Sequence, residues 1–132
     1  MYTPEEQRTH RQALVAALRS GQYQQAIGVL MADNGRFCCL GVGCEISQLG
    51  KWTMTDDDSW FYVTQHNREL SKLPKEVREY YGFATAYGEY GNNAEAMLTR
   101  DNDERCMSFD QIADVIESEP SGLLTLEAAA WR

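Results

Sequence analysis

The stretch that most restricts the fold is GRFCCLGVGCEISQLG, residues 35 to 50, with three cysteines and four glycines in one run. From Cys39 to Leu49 it is apolar almost all round, the pattern of a helix buried on every side, and Gly50 supplies its stop. Gly41 and Gly43 would each weaken such a helix by about 1 kcal/mol relative to alanine, so they predict close approach of another backbone. Val42 and Ile46 are expected to be almost wholly buried. The remaining elements must then be laid around a central apolar rod.

Three readings of the cysteines follow. A structural zinc site takes four Cys or His ligands, commonly as two close pairs, whereas Cys38, Cys39 and Cys44 offer one adjacent pair and a five-residue step, with Cys106 far off. That spacing argues against a metal, and no cofactor is expected. A catalytic thiol is the second: Cys39 would lie in the first turn of its helix, where the N-terminal partial charge lowers a thiol pKa, with His66 as base and an acid such as Asp57 to orient it. The third, adopted here, is that all three are small core residues, because apolar surroundings raise a thiol pKa and free cysteine is among the residues most often buried.

The neighbouring segments carry local signals. In TPEEQRTHRQALVAALRSG, Thr3, Pro4 and Glu6 make a helix start and Gly21 a stop, placing a helix at about 4 to 20 with Ala13, Leu14, Ala17 and Leu18 as its stripe. Its arginines, and His10, are expected in water. Asp33-Asn34-Gly35 predicts a small hairpin, and Trp52 to Thr55 with Trp60 to Thr64 a second one across Asp56-Asp57-Asp58-Ser59. Pro74 opens a short helix with Val77 and Tyr81 on one face and Gly82 at its end. A loop follows, then a helix from Asn93 to about Arg100. In MSFDQIADVIES, Ser108 and Gln111 form a capping box ahead of the buried stripe Phe109, Ile112, Ala113 and Ile116. The sum is a single α+β domain over residues 1 to 132: about five helices, one or two short antiparallel hairpins, and a weakly tied tail from about 119.

Ala17-Leu18-Arg19-Ser20-Gly21 with Tyr23, Phe37-Cys38-Cys39-Leu40-Gly41-Val42 with Cys44-Glu45, Leu73-Pro74 with Val77, and Ser108-Phe109 with Ile112-Ala113-Asp114 and Ile116-Glu117 together form a pattern over most of the chain. The pattern resembles that of a loose group of short proteins of tailed bacteriophages and prophages. The resemblance implies a phage origin, and hence the cytoplasm of an infected bacterial host. It carries no assigned activity and no functional residues. Those relatives usually have a bulky apolar residue where Gly43 stands.

Charge narrows the function classes. The net charge is −8, and between Glu89 and Glu119 nine acids face only Arg100 and Arg105, a local net of −7. Such a chain offers no basic face for direct nucleic-acid binding. No apolar run is long enough to span a bilayer, and the first residues lack a secretory pattern, which predicts a cytosolic protein with reduced thiols. DNDER, residues 101 to 105, lacks the glycine and glutamate of a calcium loop and is expected to be a solvated acidic turn. Asp110, Asp114 and Glu117 fall on one helix face, and with Asp101, Asp103 and Glu104 they are the candidate docking surface for a basic partner. The expected function is accordingly that of a phage accessory protein that occupies a host protein, such as a defence or nucleic-acid enzyme. The alternatives are a cysteine enzyme built on Cys39 and His66, and a nucleotide-sequestering protein using Trp52, Trp60, Tyr62 and Tyr87. Oligomeric state is left open.

Overall fold

A computed structural model describes residues 1–130. Helix α1, Pro4–Arg19, starts on a reciprocal cap: the Glu6 N–H donates to the Thr3 hydroxyl, and the Thr3 N–H donates to the Glu6 carboxylate at 2.8 Å. It buries Leu14, Val15 and Leu18, and Arg11 with them. Burial of that arginine corrects the expectation that this helix keeps its charges in water. Arg11 Nη1 donates to the Tyr81 carbonyl at 2.6 Å and Nη2 lies 3.4 Å from Glu119, so both bonds and charge are answered inside the protein. Burial pulls the guanidinium pKa down, and Glu119 offsets part of the shift. His10 is corrected likewise: its ring stacks on Tyr80 at 3.6 Å, and Nδ1 is 2.7 Å from the Tyr80 carbonyl.

The first expected hairpin shrinks to a turn. The Ala32 N–H donates to Arg36 O at 2.8 Å around Gly35, whose φ is +79°, and Met31 makes a single antiparallel bridge to Phe37. Residues before Met31 do not run alongside; they wrap over Phe37 from the other side, with Gln25 bridging it in parallel. Helix α2, Cys39–Ser47, then enters the centre with Cys39 to Cys44 and Ser47 buried. The Leu30 main chain packs where a Gly41 side chain would stand, and the Tyr81 hydroxyl donates to the Gly43 carbonyl at 2.7 Å. Gly41 thus meets the close backbone that both glycines predict, whereas Gly43 meets a side chain, the Tyr81 ring. Val42 is fully buried, but Ile46 is only partly so, because the outward arc of the last turn carries Glu45, Ile46 and Gln48. The helix ends two residues before Leu49, where Gln48 turns left-handed at φ +57°.

Strands β1 (Lys51–Met54), β2 (Trp60–Val63) and β3 (Arg68–Glu69) form an antiparallel sheet in that order, with Trp52 opposite Tyr62 and Met54 opposite Trp60. The β1–β2 turn closes through Thr55 N–H to Ser59 O at 2.9 Å, with Asp58 left-handed, so the hairpin expected at Asp56 to Ser59 is present. Helix α3, Lys75–Tyr81, follows Pro74 and ends at Gly82, φ +80°. Strands β4 (Glu89–Tyr90) and β5 (Ala96–Met97) pair across a 3-10 turn at Asn92–Ala94, and α4 is Leu98–Asp103. Asn93 therefore does not open a helix. Positive φ angles at Gly91, Asn93 and Ala94 fold the chain back so that Ala96 and Met97 can pair with β4.

Helix α5, Phe109–Ser118, carries the expected capping box and buries Phe109, Ile112, Ala113 and Ile116 against α1. The segment after it is firmly packed, which corrects the weakly tied tail. Leu123 and Leu124 are buried, Ala84 donates to Leu123 O and Thr125 to Gly82 O, each at 2.9 Å, and α6 (Leu126–Ala130) presses Ala128 beside Gly82. Trp131 and Arg132, the end of that expected tail, lie outside the described residues. Among the described residues the architecture is α+β, six α-helices in which α1, α3 and α4 pack on α2, with two small antiparallel sheets.

Candidate functional site

The cysteines resolve as core. Cys38, Cys39 and Cys44 are all buried, and desolvation pushes the Cys38 thiol up to about 12 and the other two well above the usual thiol value. Cys38 also caps α2, its sulfur accepting from the Gly41 N–H at 3.4 Å, while Cys39 Sγ lies 3.7 Å from the Leu98 carbonyl. The pairing of Cys39 with His66 is not formed. His66 is exposed beyond β2, its main-chain N–H on Glu76 Oε2 at 3.0 Å, and Asp57 takes the Thr55 hydroxyl instead of an imidazole. The N-terminus of α2, which would activate a thiol in the open, is covered by α4. Among the described residues no group of three or more His, Cys, Asp and Glu side chains could hold a metal ion.

The acidic segment separates into two populations. Asp110, Asp114 and Glu117 are exposed along α5 as expected, yet Arg19 reaches across from α1 to Asp114 at 2.6 Å and Glu117 at 3.1 Å. Part of the ridge is thus a solvent-exposed clamp between two helices, weakened by screening. Glu104 is exposed and pairs with Arg100 at 2.9 Å. Asp101 is the clear correction: it is wholly buried, receives the Tyr90 hydroxyl, and faces Arg105 at 3.8 Å, so it cannot touch a partner. DNDER is mostly the end of α4 and no solvated turn. Asn102, also buried, donates to Ala26 O and Asp103 Oδ1 and accepts from Gln25 Nε2, each at 2.8 Å, and from the Cys39 N–H at 3.2 Å. Asp103 takes the Gly28 N–H at 3.0 Å. One of the six candidate positions, Asp103, together with Asn102, therefore fastens the loop before Phe37, and α2, to α4. Sequence offers no signal for this, because the partners lie 59 to 77 residues away in the chain.

The aromatic set does not converge. Tyr62 is buried with its ring 4.8 Å from Trp52 and its hydroxyl taking the Gly50 N–H at 2.7 Å, whereas Tyr87 lies apart beneath Lys72. Trp52 is held by Phe37 on one side and by Glu45, which accepts from its indole N–H at 3.0 Å.

A groove of about 770 Å³ opens where α1, α3 and α6 meet. Leu49, Phe83, Ala84 and Leu126 give it apolar surface, and Glu76, Glu79 and Glu127 surround the single base Arg78. Burial raises the Glu76 pKa, but hydrogen bonds from its own main chain, Asn67, Thr64 and His66 outweigh that and hold the carboxyl below its usual value. It is charged at neutral pH. Leu126 stands 91% exposed beside this rim, an apolar side chain with no core to enter. The groove's volume lies in the range of ligand clefts, and its lining is shared between apolar side chains and polar or charged ones. Its walls come from residues 1–7, 49, 65, 76–84 and 125–127, so no local pattern marks it.

The fold and groove define a small α+β domain with an acidic, partly apolar groove. Residues 7–120 match the family described as Domain of unknown function (DUF8296), and the chain belongs to that family. No curated protein and no solved structure matches it. No helix among the described residues is long and apolar enough to cross a membrane.

Proposed function

We propose that the protein acts by binding, as an accessory factor of bacteriophage type that occupies a host protein. The observation that carries this reading is the acidic, apolar-lined groove with Leu126 exposed at its edge. A partner segment with one or two apolar side chains between basic residues complements it: the apolar groups cover Leu126 and Leu49, and the bases meet Glu76, Glu79 and Glu127. The helix α5 carboxylates extend the same negative field and steer a basic surface toward the protein. The buried Cys39, apart from His66, speaks against the cysteine-enzyme alternative.

The test is affinity capture from bacterial lysate in parallel with three baits: the native chain, Leu126→Ser with Glu79→Lys and Glu127→Lys, and Asp110→Ser with Asp114→Gln and Glu117→Gln. The groove triple is expected to lose the partner, and the α5 triple to retain it with slower association. A partner held equally by all three baits would overturn the reading.

A further inference from the structure

The three-stranded sheet has an open edge. Its order places β1 outermost, and the hydrogen bond from Thr55 N–H to Ser59 O fixes which way each residue of β1 faces. Antiparallel pairs alternate between bonded and non-bonded. With Thr55 bonded to Ser59, Thr53 and Lys51 bond inward to Phe61 and Val63, and the main-chain groups of Trp52 and Met54 point away from the sheet. The other side of β2 agrees: Thr64 N–H bonds to Asn67 O, so Tyr62 and Thr64 face β3 and leave Phe61 and Val63 for β1. Among the described residues no hydrogen bond takes up the outward groups of Trp52 and Met54.

Two side-chain features say what fits there. Met54 shares a face with Trp52, two residues away, and is one of the few large apolar residues left exposed, at 40%. Lys51 stands at one end of the edge, and Asp56, Asp57 and Asp58, all exposed, stand at the other. A strand with a base at its start and acids just past its end is complementary to itself in the antiparallel sense.

We propose that β1 is a self-pairing edge through which two copies of the chain join antiparallel about a two-fold axis at Thr53. In that register Trp52 lies opposite the partner's Met54, and each exchanges its outward N–H and C=O with the other. The same pairing seats each Met54 thioether against the partner's Trp52 ring, a favourable sulfur–aromatic contact. Lys51 lies opposite the partner's Thr55, one position from the partner's Asp56, and the like-charged aspartate turns are held at opposite ends. Natural edges are kept short and charged to stop indiscriminate pairing, and here the charges also select the two-fold register. The proposal is independent of the groove, which lies on other elements.

At the axis Thr53 forms a non-bonded pair, with Cα atoms about 4.5 Å apart, inside the span of a disulfide. In a Cys106→Ser background, Thr53→Cys should therefore crosslink into a covalent dimer under mild oxidation. Lys51→Cys, whose symmetry mate lies about 14 Å away along the strands, should not. Sedimentation of the native chain should show a concentration-dependent dimer, and Met54→Pro, which removes an outward N–H that the monomer fold does not use, should be monomeric with an unchanged circular dichroism spectrum. A native chain that stays monomeric and a Thr53→Cys that crosslinks no better than Lys51→Cys would overturn the proposal. So would a folded Met54→Pro that dimerises as well as the native chain. If Met54→Pro fails to fold, the crosslinking pair decides.

Discussion

Helices α2 and α5 are nearly equal in length but are held by opposite means. Helix α5 is specified from within: Ser108 and Gln111 satisfy its first N–H groups reciprocally, and its apolar residues repeat on one face. Helix α2 contains two glycines, has a cysteine sulfur for a cap, and has no acidic first turn or basic last turn. Its sequence alone would favour no helix in water. It forms because the Leu30 main chain, Tyr81 and α4 enclose it. One helix is a local decision, and the other is a consequence of the whole fold.

The sharpest way to break that contrast is Gly41→Ala. An added methyl would overlap the Leu30 carbonyl, which is main chain and cannot turn aside, so a loss of about 3 kcal/mol or more is expected in urea unfolding. Gly43→Ala, two residues along, meets only the Tyr81 ring at 3.3 Å and gains helix propensity, so its change should stay within about 1 kcal/mol. Equal costs at the two positions would show that propensity and not enclosure governs α2.

A smaller effect is expected from the thiols. Cys39→Ser should cost about 1 to 2 kcal/mol and leave partner capture intact. The pH dependence follows from the raised values: Cys38 moves from 9.0 to about 12 by burial, so the fold favours the protonated thiol. Its contribution is complete below pH 9 and is lost as pH rises from there toward 12. The native unfolding midpoint should fall over that window, with the buried tyrosine Tyr81 adding to the loss above 10. Cys38→Ala should flatten the fall, while an α5 variant should keep it whole. Smallest is Ser108→Ala, about 1 kcal/mol, the usual value of a lost helix cap. Faster hydrogen exchange of the Gln111 amide would report it directly, since that N–H loses its 3.2 Å acceptor.

What the sequence reveals divides along the same line. Both capping boxes, the Asp56–Ser59 turn, the Gly82 stop and the buried Val42 are legible because each is encoded within about four residues or by an apolar run. Arg11, Asp101 and Asn102 carry charge or polarity and so read as solvent-facing. Their burial depends on Tyr81 and Glu119, on Tyr90, and on Ala26 and Cys39, none of which their neighbours announce. The helix expected from Asn93 failed for a related reason, since the pairing of β4 with β5 outweighs the local preference of a short polar segment. The groove is the extreme case, with walls from five separate stretches.

The family match ends at residue 120, yet the core does not. Leu123 and Leu124 are buried beyond it, and each contributes on the order of 1.5 to 3 kcal/mol by leaving water, a large share of the roughly 5 to 15 kcal/mol that holds a domain of this kind together. A chain cut after Pro120 would uncover Phe83 and strip the main chain at Gly82 and Ala84 of its partners. The span recognisable across relatives is thus shorter than the span that folds, and anyone dissecting this protein by its family limits would be handling an incomplete folding unit.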